Sequence, residues 1–248
     1  METTYIFKRI ERKYLVDEVT KKRLLQRMKE QLVLDEYGKS TICSLYLDTP
    51  DHRIIRNSID AKAYKEKLRL RSYGTPKEDS TVYLELKKKY QGVVYKRRVS
   101  LPLSVAKDYL AKGEIPDDTQ IWREIDYAMR FYGWPAPAMV ISYEREAYAW
   151  ANDPTFRVTF DSAPRARDTV LQLERGSAGT PLLPVGQQIM EVKSSGAMPL
   201  AFARVLNEMD ILPTSFSKYG TAYTRSLFPN DPVSMNVTKG AMQYVCDL

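Results

Sequence analysis

Alternation of charged and apolar residues along strand-length segments constrains this chain more than any other feature. Lys67-Leu68-Arg69-Leu70-Arg71-Ser72-Tyr73 is the clearest case. Successive side chains of a strand point to opposite faces, so Lys67, Arg69, Arg71 and Tyr73 share one face and Leu68, Leu70 and Ser72 the other. The next segment repeats the device, with Tyr83, Glu85, Lys87 and Lys89 opposite Val82, Leu84 and Leu86. Arg9, Glu11 and Lys13 share a face, as do Tyr143 and Arg145, then Arg157, Thr159 and Asp161, then Glu191 and Lys193. Lys96 and Arg98 form another such pair, interrupted by Arg97.

One strand of this kind is ordinarily half of an antiparallel sheet with its charged face in water. Six or seven, with glutamates set among the arginines and lysines, favour a curled sheet: charged faces inside, apolar faces against outer helices. Cations gathered inside must stay wet or hold an anion, because unpaired charge is not buried in a dry core. Arginine offers a planar fork that matches phosphate oxygens and lysine a mobile point charge, so the expected occupant is phosphate-rich. Glu11, Glu85 and Glu191 can fix cationic neighbours, and one or more of them can share Mg2+ or Mn2+ with substrate phosphates.

The pattern predicts strands over residues 3–15, 40–47, 64–73, 81–89, 92–101, 138–150, 156–161 and 189–193. Helices are expected over 18–31, capped by Asp17, and over 52–60, 104–110, 118–132, 199–208 and the end of 215–225. Consecutive strands around Gly74 and Gly92 favour antiparallel pairing. The expectation is one domain over residues 1–228, with 229–248 a tail that is mobile or folds back as a short helix. Lys21, Lys22, Arg23, Arg27 and Lys29 read as the solvated face of the first helix. Cys43 and the three tryptophans read as packing residues, and His52 as a solvent or capping residue.

The net charge of +7 over 248 residues favours an anionic partner. Nucleic acid is disfavoured, because the cations are spread over strands rather than collected in an arm or recognition helix. The sequence holds one histidine, His52, which excludes a multi-histidine metal site, and two cysteines, Cys43 and Cys246, which fit a reducing compartment. Lacking an apolar leader or spanning run, the chain is expected to be cytoplasmic, at most peripheral to a membrane complex through a membrane-protein partner.

Several local signatures together resemble a known family. They are Glu11-Arg12-Lys13-Tyr14, Ser44-Leu45-Tyr46-Leu47-Asp48-Thr49-Pro50, Lys67 to Gly74, Glu85-Leu86-Lys87 and Lys96-Arg97-Arg98. Tyr143-Glu144-Arg145, Arg157-Val158-Thr159-Phe160-Asp161, Glu191-Val192-Lys193 and Phe216-Ser217-Lys218-Tyr219 continue the series. In number and order they are similar to the polyphosphate polymerase domain of vacuolar-transporter-chaperone (VTC) type, in the CYTH-like triphosphate tunnel metalloenzyme superfamily. The resemblance implies an α+β fold: an eight-stranded antiparallel β-barrel tunnel with a charged interior and surrounding helices.

By the same resemblance Lys13, Arg69, Arg71, Lys87, Lys96, Arg145 and Arg157 are the catalytic phosphate ligands. Arg9, Lys67, Arg98, Tyr143, Lys193, Ser217 and Lys218 assist in substrate binding. Glu191 is the implied metal carboxylate, with Glu11 and Glu85 as further candidates. The implied reaction transfers the γ-phosphate of ATP to inorganic polyphosphate with Mn2+ or Mg2+. A tunnel hydrolase and a noncatalytic polyphosphate-binding module are the alternatives. Many superfamily members open with Glu-x-Glu-x-Lys. Here Arg9, Glu11 and Lys13 put a base at the first acidic position, which favours synthesis over two-metal hydrolysis.

Overall fold

The computed structural model describes residues 10–61, 63–91 and 93–227. In chain order, β1 (Ile10–Asp17), α1 (Glu18–Arg27), β2 (Leu32–Asp48) and α2 (Arg53–Asp60) lead into three consecutive strands. These are β3 (Tyr64–Tyr73), β4 (Thr81–Tyr90) and β5 (Val93–Pro102). Then come α3 (Leu103–Lys112), α4 (Gln120–Phe131), β6 (Ala136–Trp150) and β7 (Asp153–Arg167). After the short β8 (Thr180–Pro181) follow β9 (Gln187–Ser194), α5 (Leu200–Glu208), β10 (Pro213–Thr214) and α6 (Lys218–Leu227). Arg9 and the tail 229–248 lie outside the described residues.

The alternation sets the pairing. Across β3 and β4, Lys67 faces Lys87, Leu68 faces Leu86, Arg69 faces Glu85 and Leu70 faces Leu84. Charge therefore neighbours charge on one side and leucine neighbours leucine on the other. All strand pairs are antiparallel, in one ten-stranded sheet ordered β10-β1-β9-β7-β6-β2-β3-β4-β5, with β8 added to β7.

This corrects the expected eight-stranded closed barrel: the sheet has ten strands and is open, with β5 and β10 at its ends and unpaired with each other. Both ends resist further pairing. Pro213 and Thr214 cover the edge of β1 at Tyr14 and Lys13, and Pro213 has no N–H to offer another strand. β5 carries Lys96, Arg97 and Arg98 in a row, a charged edge of the kind that discourages strand addition. The sheet is nevertheless deeply curled. Lys87 Nζ on β4 lies 3.3 Å from Glu11 Oε2 on β1, although five strands separate them in the pairing order.

Apolar faces point outward under helices. Leu68, Leu70, Val82, Leu84 and Leu86 pack with Tyr109 of α3 and with Trp122, Ile125 and Met129 of α4. Phe156, Val158, Phe160 and Met190 pack with Leu24 of α1 and Phe202 of α5. A third cluster lies on the charged face itself, where Tyr46 and Tyr143 meet Tyr219 and Ala222 of α6 and Ile55 of α2. Two helices thus plug one end of the concavity. Asp48 joins them: it caps α2 by accepting from Ile54 N (2.9 Å) and Ile55 N (3.1 Å), and it accepts from Tyr219 Oη (2.9 Å).

Asp17 caps α1 through Thr20 N at 2.7 Å, but the helix ends at Arg27 rather than at 31. Its basic residues are not all solvated: Lys21 is buried and paired with Glu146 at 2.9 Å. Cys43 is buried, and Trp122 and Trp134 pack edge-on to Tyr109. No helix among the described residues is long and apolar enough to cross a membrane.

Candidate functional site: a cationic cavity inside the curled sheet

The inward side chains enclose a cavity of about 750 Å³. Thirteen lysines and arginines line it against three glutamates, Glu11, Glu66 and Glu191. Like charges at this density repel unless counter-ions hold them, and buried carboxylates do so at two points.

The first is Glu85 of β4, wholly buried beneath the inward cations. Its Oε2 accepts from Arg69 (2.7 Å from Nη2, 2.8 Å from Nε) and its Oε1 pairs with Lys96 (2.7 Å) and Arg98 (2.5 Å). Arg71 Nε stands 3.9 Å away and also donates to Ser44 Oγ at 3.3 Å. Burial alone would raise the Glu85 carboxyl, but Arg69, Arg71, Lys96 and Arg98 hold it far below the carboxylate range. Arg69 is aimed further by Tyr46, whose Oη accepts from Nη1 at 3.1 Å.

The second is a pair on β7 and β9. Asp161, also fully buried, takes Arg145 bidentately (2.6 and 2.8 Å) and Lys218 at 2.5 Å. Glu191 is ringed by Lys193 (3.2 Å), Arg145 (3.6 Å), Lys13 (3.7 Å) and Lys218 (3.8 Å). Burial opposes ionisation of Glu191, but these four cations, Lys193 first, hold it well below its ordinary value. The aromatic face of Tyr143 lies under both cations, 4.4 Å from Lys218 Nζ and 5.1 Å from the Arg145 guanidinium.

Among the described residues no carboxylate pairs with Lys67; its Nζ donates to Ser217 Oγ at 3.0 Å. Ser217 in turn accepts from Gly220 N at 3.1 Å, so it caps α6 and turns the helix start toward the cavity. Burial, together with Lys13, Lys87 and Arg69, brings the Lys67 ammonium down to about 8. Burial would raise the Tyr46 phenol, but Arg69, Lys67 and Arg71 bring it down to about 8.

The cavity gathers Lys13, Lys67, Arg69, Arg71, Lys87, Lys96, Tyr143, Arg145, Lys193, Ser217, Lys218, Glu11 and Glu191. Arg98 and Glu85 do not line it and are paired with each other. Arg157 does not line it and is paired with Asp35 of β2. Lys65, Glu66 and Lys89 also line the cavity, and they, Tyr46 and Asp161 had no assigned role from sequence. Tyr46 was legible as the same-face neighbour of Ser44 on β2. Asp161 shares the face of Arg157 and Thr159, but its pairing with Lys218 joins residues 57 apart.

A resident divalent cation does not fit these residues. Among the described residues no group of three or more His, Cys, Asp or Glu side chains is placed to hold a metal. Glu85 and Asp161 spend their oxygens on lysines and arginines, and Glu11 and Glu191 are ion-paired with lysines.

A VTC domain model matches residues 8–227. No curated protein matches the chain. Among solved structures, a candidate adenylate cyclase of Bacillus halodurans superposes with a TM-score of 0.53 at 16% identity, over 85% of this chain and 95% of its own. A candidate adenylyl cyclase of Hippeastrum, described as having a dominant triphosphatase activity, gives 0.50 at 16% identity, over 88% and 94%. At such identity these likenesses are of fold. The chain belongs to the VTC domain family.

Proposed function

We propose that this protein is a polyphosphate polymerase: it holds ATP and an inorganic polyphosphate chain in the cationic cavity and transfers the γ-phosphoryl group to the chain end, releasing ADP. One observation carries the reading, the convergence of thirteen lysines and arginines on one cavity whose lining holds only three carboxylates. That surplus suits a run of several phosphates. Arg69, Arg71, Lys87, Arg145 and Lys218 would offset the repulsion between donor and acceptor and hold them in line. Lys13, Lys67, Lys96, Lys193, Ser217 and Tyr143 would orient the remainder. Mn2+ or Mg2+ enters in this reading with the nucleotide, as part of the substrate.

The carboxylates favour transfer to phosphate over transfer to water. A hydrolase gains from a base that takes a proton from water. Glu191, Asp161 and Glu85 are held by cations as weak bases, with pKa values below the ordinary range. A polyphosphate terminus is already ionised near neutral pH and needs no such help. The need for ATP puts the activity in the cytoplasm, and the VTC likeness points to a membrane-protein partner that would receive the product.

The test is incubation with γ-labelled ATP, Mn2+ or Mg2+ and a short polyphosphate primer. Label in a lengthening polymer with stoichiometric ADP is expected. Label released only as orthophosphate would make the protein a hydrolase, and binding without turnover would make it a polyphosphate-binding module.

A further inference from the structure

Arg157 stands beside the cavity without lining it. β7 places it in register with Lys193 of β9, which does line the cavity, and with Ala149 of β6 on its other side. Its guanidinium is paired with Asp35 of β2. Asp35 lies where the β2–β6 register slips, between Leu34 and Lys39, so an irregular segment and not the regular ladder carries the carboxylate. The Arg157 end of the pair is open to solvent and the Asp35 end mostly covered: 38% and 11% of the side chains are exposed. A phosphate chain that runs past Lys193 would meet Arg157 as its in-register neighbour across the sheet.

We propose that Asp35 sets the response to phosphate-chain length: it holds Arg157 aside, and a long chain, but not a triphosphate, takes Arg157 from it. The inference rests on the phosphate-chain reading of the cavity. The event is an exchange of anions at one guanidinium, a carboxylate for a phosphate that the same planar fork fits. Asp35 is mostly covered and sits at the irregular stretch of β2 rather than in the regular ladder.

The test is titration with inorganic tripolyphosphate and with long linear polyphosphate. Asp35→Asn is expected to tighten long-chain binding about two- to fivefold, the range of a part-exposed ion pair, and to leave tripolyphosphate unchanged. Arg157→Gln should weaken long-chain binding selectively, and in the double variant Asp35→Asn should then have no effect. Glu36→Gln, the same charge change one residue on, should alter neither affinity. An Asp35→Asn variant that binds both ligands as before, or shifts both equally, overturns the inference. If that variant does not fold, an equal loss for both ligands in Arg157→Gln overturns it. Failure of the unsubstituted protein to bind either ligand overturns the phosphate-chain reading itself, and this inference with it.

Discussion

Lys67 Nζ donates to Ser217 Oγ at 3.0 Å, which ties a cavity lysine that has no carboxylate partner among the described residues to the cap of α6. The contact makes a pH prediction. Free Lys67 loses its proton near 8, and over the same range Tyr46 gains negative charge. A bound phosphate chain keeps Lys67 protonated, so above that point binding must take up a proton and affinity falls as pH rises. Tripolyphosphate binding should therefore weaken from about pH 7 to about pH 9, by at most about tenfold per pH unit for each proton. Calorimetric titration across that range checks this, and Lys67→Met should bind more weakly with a flatter profile.

Glu85 is the counter-ion for four cations on β3 and β5, so removing its charge should destabilise the free protein. Glu85→Gln is expected to cost about 3–5 kcal/mol, as when one partner of a buried ion pair is lost. Tripolyphosphate should restore part of that loss by supplying the missing negative charge. Urea denaturation with and without the ligand measures both. A variant as stable as the parent would remove Glu85 from its proposed role.

Asp48 caps α2 and accepts from Tyr219 of α6, so Asp48→Ala should lower stability by about 2–3 kcal/mol through a lost cap and a lost buried hydrogen bond. Hydrogen exchange should rise most in α6 and in α2, which packs on both cores through Ile54 and Ile55, and less in α3 and α4. A uniform rise would contradict this linkage.

Manganese should not bind tightly to the protein alone, because its carboxylates are taken by lysines and arginines. Electron paramagnetic resonance should detect free Mn2+ until tripolyphosphate is added, and bound Mn2+ afterwards. Tight binding of Mn2+ in the absence of phosphate would refute the assignment of the carboxylates.

Much of this arrangement was legible in the alternation. β3 spans Tyr64–Tyr73 as the pattern requires, and its inward row Lys67, Arg69 and Arg71 lines the cavity. Closure was not legible. Alternation tells which face a side chain takes but not whether the two edge strands meet, and here Pro213 and the charged edge of β5 decide that. β2 runs from Leu32 and not from 40, because the polar run Asp35 to Gly38 hides a strand that continues through an irregular register. Lys21 looked solvated because its partner, Glu146, lies 125 positions further along the chain. Arg157 was legible as an inward cation, but its pairing with Asp35 depends on the same irregular stretch of β2.

The structure of this protein with tripolyphosphate bound tests the central claim most directly. The phosphate chain should lie inside the curled sheet, with oxygens within hydrogen-bonding distance of Arg69, Arg71, Lys87, Arg145 and Lys218. A chain seated on the outer basic residues of α1, with the cavity cations still paired to Glu85, Asp161 and Glu191, would contradict it.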